Sequence, residues 1–471
     1  MQKLLIDYLL RPLGKIMDHV DQRVKNILFL ISAIVIASIN CLHFAGMLPY
    51  RYLVIFAIGC VFLGLMILAS LSGDIRPVRF RIWLMIPWYI AGGFIALSGI
   101  LHGSEYLTDA VCFLVVYPIL FIVWNQGNFA KVMGLLVRAI MIVLVAVLLV
   151  NAFKFPITTE RYEGLFGNTN AAAFFYATVF GCLLVKLYQT EKFTWKTVGV
   201  LILLGMTAAM QYYSNSRTGQ LAIICELIVA TILYFITHIR SAGKFLVYKF
   251  LPLALSVMIF FPTTLYLLQI PGIIKSSRIN MQISETTAES EDNEATKVGS
   301  DKTDKENQKE TKPSKKNEIH GLDGFKQTNE DKLSTDGKDF DGFTSHRVTI
   351  WKLYLEKLNM LGNAPDVEIK RYSDGKAYTA HNTWLEYSFQ SGIPCGIAYL
   401  IFNILAGVLS IGYAWKHKGE KYSLMPLTMA IGYGVISVVS SVNTPFMYIC
   451  TMYYTFAQVP TVSKCVCKDS E

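Results

Sequence analysis

The feature that most limits this chain is a run of apolar stretches, each near the length that crosses a bilayer. A spanning helix needs about 20 mostly apolar residues. Such stretches cover 27–44, 52–71, 82–101, 107–124, 132–153, 171–188, 195–213, 219–237, 245–268, 384–414, 422–440 and 444–462. The expected fold is therefore all-α, a polytopic membrane bundle of about twelve transmembrane helices with one long loop, 269–383. Composition agrees. Of the 471 residues 53% are hydrophobic and 16% charged, where a soluble chain carries roughly a quarter charged residues. An ordinary soluble enzyme, a disordered protein and a disulfide-stapled secreted domain are all excluded.

The net charge of +9 is an orientation signal rather than a footprint for nucleic acid. Lys and Arg gather on the cytoplasmic side of membrane proteins. With the N-terminus inside, inner loops and neighbouring span ends hold Arg76, Arg79, Arg81, Lys131, Lys186, Lys192, Lys196, Arg240, Lys244, Lys416, Lys418 and Lys421. Short outer loops hold only Arg51, Lys154, Arg161 and Arg217. Both termini are then expected in the cytoplasm of a cell whose plasma membrane holds the bundle. Residues 1–26 read as a cytoplasmic amphipathic lead-in without a cleavable leader, and 463–471 as a cytoplasmic tail.

The long loop faces outward in this arrangement. Its segment 284–342 is rich in Lys, Glu, Asp, Asn, Ser and Thr. It cannot bury enough apolar surface to offset chain entropy and is expected to be disordered. Residues 344–361 differ. Ile350, Trp351, Tyr354, Leu355, Leu358 and Leu361 fall at helical spacing, which predicts an amphipathic helix on the outer face. None of the nine cysteines lies in the loop, so no external disulfide is expected. Cys465 and Cys467 lack the partners of a zinc site, and no cofactor is expected. No Walker loop is present, and Asp339-Phe340-Asp341 sits in the charged stretch without a nucleotide-binding domain around it.

Polar groups near the membrane are expensive and each needs a reason. Arg217, in Ser214-Asn215-Ser216-Arg217-Thr218-Gly219-Gln220, breaks the charge bias. A snorkelling anchor is the bland account. The functional one is an outward anion site, with Ser214, Ser216 and Thr218 adding hydroxyls for a phosphate or pyrophosphate. Arg347 opens the amphipathic helix after Ser345 and His346, and an Arg in a first turn can share an anion with backbone N–H groups. His381 stands at the outer mouth of the tenth stretch, followed by Asn382, Trp384 and Glu386. A His near two Arg fits proton abstraction beside an anionic leaving group. The segment from Thr159 and Glu160 through Arg161, Asn168 and Asn170 approaches the sixth span. There Asn170 is expected to cap the helix and the Gly-rich approach to shape a groove. Arg138 is expected to snorkel, Asp109 to be wetted, and Glu226 to act as a counter-charge roughly 13 Å below Arg217.

In order and spacing these motifs resemble the O-antigen ligase and polymerase family of bacterial membrane glycosyltransferases. The matching segments are 164–170, Ser216-Arg217-Thr218-Gly219, 346–351, 381–386 and Ser391-Gly392-Ile393-Pro394-Cys395-Gly396. Departures are Asn168-Thr169-Asn170 where the family often has Asn-Pro-Asn, Leu361-Gly362-Asn363-Ala364 in place of a Pro-x-Gly-x-Gly, and a longer charged insert. The resemblance implies a GT-C-like bundle. It implies inverting transfer of an undecaprenyl-diphosphate-linked glycan to a sugar acceptor on the outer membrane face, without metal or cofactor. Arg217, Arg347, Ser216 and Thr218 would then bind the pyrophosphate. His381 would deprotonate the acceptor and Glu386 would fix the His tautomer. Asn168, Asn170, Arg161 and Asn382 would line the acceptor groove. Expected partners are the lipid-linked oligosaccharide, the glycan acceptor, membrane lipid, a flippase and a chain-length regulator.

Two activities share those motifs. A polymerase extends O-antigen, capsule or exopolysaccharide repeat units, and a ligase moves the finished glycan to a different acceptor. The Lys-rich composition, which points to a Gram-positive source, tilts the choice to polymerase. The alternative of another class is a flippase or transporter, whose usual inverted repeats are not evident here.

Overall fold

The computed structural model describes residues 2–47, 52–103, 105–155, 161–190, 192–239, 242–270, 347–370 and 378–465. The charged stretch 284–342, the lead-in Ser345 and His346, Thr159, Glu160, Arg51, Arg240 and Cys467 fall outside those residues. The described chain is a mostly helical, multi-pass membrane bundle. Nine of its helices are long and apolar enough to span: α1 (Gln22–Phe44), α2 (Leu53–Ser70), α3 (Ile82–His102), α4 (Tyr106–Trp124), α5 (Phe129–Lys154), α6 (Thr169–Tyr188), α8 (Arg217–Thr237), α9 (Leu246–Ile270) and α12 (Ile393–Lys416).

The other three expected spans, and the start of the tenth, take different forms. Trp195–Tyr213 is a 19-residue helix, α7. The stretch 384–414 is not one helix. It breaks at Gly392 into α11 (Thr383–Ser391) and α12. The last two stretches become the 15-residue α13 (Met425–Val439) and the 9-residue α14 (Ile449–Ala457). Between α13 and α14 the backbone is irregular, with Phe446 buried at a positive φ of 63°.

The break at Gly392 has a steric cause. Gly362 and Gly392 both have positive φ, 85° and 93°. A Cβ on Gly362 would lie 2.2 Å from the Gln390 carbonyl oxygen, and one on Gly392 2.2 Å from that of Met360. The loop after the helix Arg347–Glu356 thus lies directly on the break. It is held there by Ile393 N–H donating to the Asn359 carbonyl and Asn363 N–H to that of Phe389, both at 2.9 Å. Two of the short motifs noted in the sequence are therefore one packed joint.

Helix α6 is the buried axis, packed against α5, α7, α8, α13 and α14. Its Ala171, Ala172, Ala173, Ala177 and Gly181 allow the close approach that membrane bundles use in place of a hydrophobic driving force. Glu226 of α8 is buried and packs into this region without a counter-charge among the described residues. It wedges between Gly181 of α6 and Gly432 of α13. A Cβ on Gly432 would lie 1.9 Å from Glu226 Oε1. Asp109 is also buried rather than wetted, whereas Arg138 is exposed.

A two-stranded antiparallel ribbon joins distant parts of the chain. β1 (Val78–Phe80) pairs with β2 (Ser463–Cys465), Val78 opposite Cys465. The segment expected as a tail therefore begins as an ordered strand. Residues 2–18 pack beside the ribbon, with Gln2 Nε2 donating to the Val78 carbonyl at 3.1 Å.

The fit at Gly432 is testable by thermal melting of the purified protein. Gly432→Ala should lose about 1–3 kcal/mol, the range for overpacking a filled interior. The loss should shrink in a Glu226→Ala background, where the colliding carboxyl is gone.

Candidate functional site

One end of the bundle gathers the polar outliers. It is formed by the N-termini of α6 and α8, the C-terminus of α7, and the helix α10 (Arg347–Glu356) with the loop that leads into α11.

The approach to α6 is ordered by Asn168, which is the helix cap in place of Asn170. Its Oδ1 accepts from the N–H groups of Asn170 and Ala171 at 2.8 and 3.1 Å. Asn170 instead reaches sideways, and the Ser216 hydroxyl donates to its Oδ1 at 3.1 Å. Arg161 donates to the Thr169 hydroxyl at 2.8 Å, and Tyr162 N–H donates to the Tyr213 carbonyl at 2.9 Å. This network pins the 161–170 segment onto the α7–α8 turn, where Asn215 takes a positive φ of 51°. Ser214, Ser216 and Thr218 are buried there. Arg217 is the first residue of α8, after the N-cap Ser216, so it belongs to the turn whose N–H groups lack an intrahelical acceptor.

Helix α10 is shorter than expected, ending at Glu356. Ile350 and Tyr354 are buried in a small separate core with Ile369, Ala380 and Phe389, while Leu355 and Leu361 are exposed. The Trp351 indole N–H donates to the Ala380 carbonyl at 2.8 Å, and the Tyr354 hydroxyl to that of Tyr378 at 2.9 Å. Those two bonds dock the helix on the strand that delivers His381. They also put Arg347, the first residue of α10, next to that imidazole.

His381 has a positive φ of 48°. The turn is held on both sides. Before it, Ala380 N–H donates to Glu386 Oε2 at 2.8 Å. After it, Asn382 Oδ1 caps α11 by accepting from Leu385 N–H, and its Nδ2 donates to the Val438 carbonyl, both at 2.9 Å. Glu386 accepts two more bonds, from Gln390 Nε2 and the Ser441 hydroxyl, each at 3.0 Å. The expectation that Glu386 holds the His381 ring is corrected: its oxygens hold the backbone that positions the His. Asn382 likewise has its amide engaged in structural bonds. Sequence reasoning missed Ser441, Gln390 and Asn443, which donates to Gln390 Oε1 at 2.8 Å. Ser and Asn inside an apolar stretch give little signal alone.

The electrostatics run in one direction. Arg161 and Arg217 feel each other's charge, as do Arg217 and Arg347, and Arg347 and His381. Burial, and then the Arg217 charge, hold Arg347 below the usual guanidinium range. The group stays charged, so this is a strained cation that an anion would relieve. Burial, and then the Arg347 charge, hold His381 below the usual imidazole range. It is neutral at pH 7 and able to accept a proton. Burial pushes the Glu386 carboxyl up, and its three donors pull it back. The arrangement gathers three guanidinium groups near one imidazole. Among the described residues no group of three or more His, Cys, Asp or Glu is placed to hold a metal.

No family model, curated protein or solved structure matches this chain.

Glu386→Ala would leave three donors without their acceptor. A loss of about 1–3 kcal/mol in melting stability is expected. Hydrogen exchange at the Ala380 amide should rise, whereas an unchanged Ala380 amide would remove the backbone-holding role.

Proposed function

We propose that this protein is a membrane glycosyltransferase that moves a glycan from undecaprenyl diphosphate to a sugar hydroxyl on the outer membrane face. The observation that carries this reading is the convergence of Arg161, Arg217 and Arg347 beside a neutral His381 at one end of an apolar bundle. The outward direction of that end rests on the distribution of Lys and Arg along the sequence.

In this scheme Arg217, Arg347 and the first N–H groups of α8 bind the donor pyrophosphate. His381 takes the proton from the acceptor hydroxyl. The oxygen attacks the anomeric carbon from the face opposite the leaving group, so configuration inverts. The bond to the pyrophosphate oxygen breaks, and undecaprenyl diphosphate departs with the electron pair. The guanidiniums stabilise the charge growing on it, which is where preorganised donors act most strongly. Glu386 is a positioning residue acting through Ala380. Arg161 and Asn170 edge the space that the acceptor would occupy. Asn168 shapes that edge as a cap rather than by contact.

Repeat-unit polymerisation is the activity we favour, on the composition argument. Ligation to another acceptor uses the same site, so the acceptor consumed in the assay decides between them.

The purified protein, given a lipid-linked oligosaccharide, should release undecaprenyl diphosphate and yield longer glycans or a glycosylated acceptor. Arg217→Ala or Arg347→Ala should lower turnover by about 10²–10³-fold. His381→Ala should lower it by about 10²–10⁴-fold. Arg→Lys should not rescue, because an ammonium lacks the bidentate fork. Full turnover by His381→Ala would remove the base assignment.

The pH profile supplies a separate check. The base works unprotonated, so kcat/KM should fall as pH drops through the free-enzyme pKa of His381. Because burial and Arg347 lower that pKa, the midpoint should lie below the ordinary value of 6.5. A midpoint above it would contradict the described environment.

A further inference from the structure

A second polar cavity, of about 470 Å³, lies where α1 and α5 begin and α2 and α4 end. It is far from the site just described. The C-terminal end of α5 abuts the approach to α6, where Leu165 N–H donates to Asn151 Oδ1 at 2.8 Å. The cavity is lined by Lys131, Val132 and Leu135 near the other end of this helix, about 24–30 Å from Asn151 at 1.5 Å per residue.

Lys25 is the unusual group in its wall. The residue is only 7% exposed, yet its nearest acidic oxygen is Asp18 Oδ1 at 3.8 Å, beyond hydrogen-bond length. A second ammonium, Lys131, also lines the cavity and lies close enough to feel the Lys25 charge. A buried cation is costly unless hydrogen-bonded or paired, and two facing one space favour an anion between them. Asp18 accepts the Gly73 N–H at its other carboxylate oxygen, Oδ2, at 2.8 Å, which fixes the carboxylate at that distance from Lys25. The rest of the wall supplies neutral donors, among them Gln22, Asn26, Ser70 and Ser72, with one further cation, Arg76, and one further carboxylate, Asp74. Paired ammoniums with hydroxyl and amide donors match a phosphate ester carrying a polyol.

The surroundings indicate where such a group comes from. Helical residues 2–18 bury Ile6, Leu10 and Met17 against the bundle and leave Leu4, Tyr8 and Ile16 exposed, at 61%, 80% and 63%. A Cβ on Gly14 would lie 2.3 Å from the Ser72 carbonyl oxygen, so this run packs against the cavity's own loop. The run carries Lys3, Arg11 and Lys15. Apolar side chains facing outward among cations suit the headgroup region of an anionic membrane. Gln126 fixes the floor, accepting from Arg76 N–H and donating to the Arg76 carbonyl, both at 3.0 Å.

We infer that this cavity binds the phosphate headgroup of an anionic glycerophospholipid, held between Lys25 and Lys131. The site is independent of the proposed glycosyl transfer.

The full chain, delipidated in a nonionic detergent, can be titrated with phosphatidylglycerol or phosphatidylcholine in mixed micelles. Melting temperature and lipid retention by native mass spectrometry are the readouts. Phosphatidylglycerol should raise the melting temperature and phosphatidylcholine should not. Lys25→Gln and Lys131→Gln should each weaken binding about tenfold, the loss for one ionic contact of about 1.4 kcal/mol. Asp74→Asn, which removes a carboxylate lining the cavity, should tighten it. Lys131 is exposed, so its variant keeps the test valid if Lys25→Gln does not fold. Arg347→Ala should bind as the parent does, which separates this site from the other. Inorganic phosphate or glycerol 3-phosphate matching the lipid's effect would keep the anion site and overturn the lipid source. Equal responses to the two lipids, or parental affinity in both lysine variants, would overturn the proposal.

Discussion

Irregular backbone inside an apolar bundle survives only where its polar groups pair with one another, and here that pairing centres on the Glu386 carboxylate. Its two oxygens accept from Ala380, Gln390 and Ser441. Those donors belong to the loop before α11, to α11 itself and to the break after α13. One side chain therefore joins three elements that could not otherwise meet with their backbones satisfied. Thr383 reinforces the join, donating to the Ser440 carbonyl at 2.8 Å and accepting from Val442 N–H at 3.0 Å. The conformation of His381, and through Trp351 the seat of α10 and Arg347, depends on this knot.

Helix capping and charge then work together. Arg217 is the first residue of α8, after the N-cap Ser216, so its charge adds to the positive end of a peptide dipole. Arg161, Arg217 and Arg347 act on one another electrostatically in a chain that reaches the half-buried His381 imidazole. Burial first, and then the Arg347 charge, hold the His381 imidazole below its usual range.

Much of this was legible in the sequence, for identifiable reasons. Apolar length marks a spanning helix because hydrocarbon leaves the backbone few other options, and nine of the expected spans are helices of that kind. Arg217, Arg347 and His381 stood out because charge at an apolar boundary is rare. The joint at Gly392 was hidden, since the stretch 384–414 is apolar on both sides of it and the collision with Met360 comes from 32 residues earlier. The short final helices were hidden too. Ser440, Ser441 and Asn443 pass as tolerated polar residues until their partners, more than fifty positions away, are known. Glu386 was given the ring of His381 by proximity in sequence, but the left-handed turn at that His directs the carboxylate to the backbone instead.

The ribbon that pairs Val78 with Cys465 has a consequence for the order of assembly. A ribosome adds about 5–20 residues per second, so β1 is made tens of seconds before β2. Throughout that interval its backbone edge stays without its strand partner, while every later helix is inserted. The pairing therefore acts as a late latch, closing only after the described helices from α3 to α14 have been made.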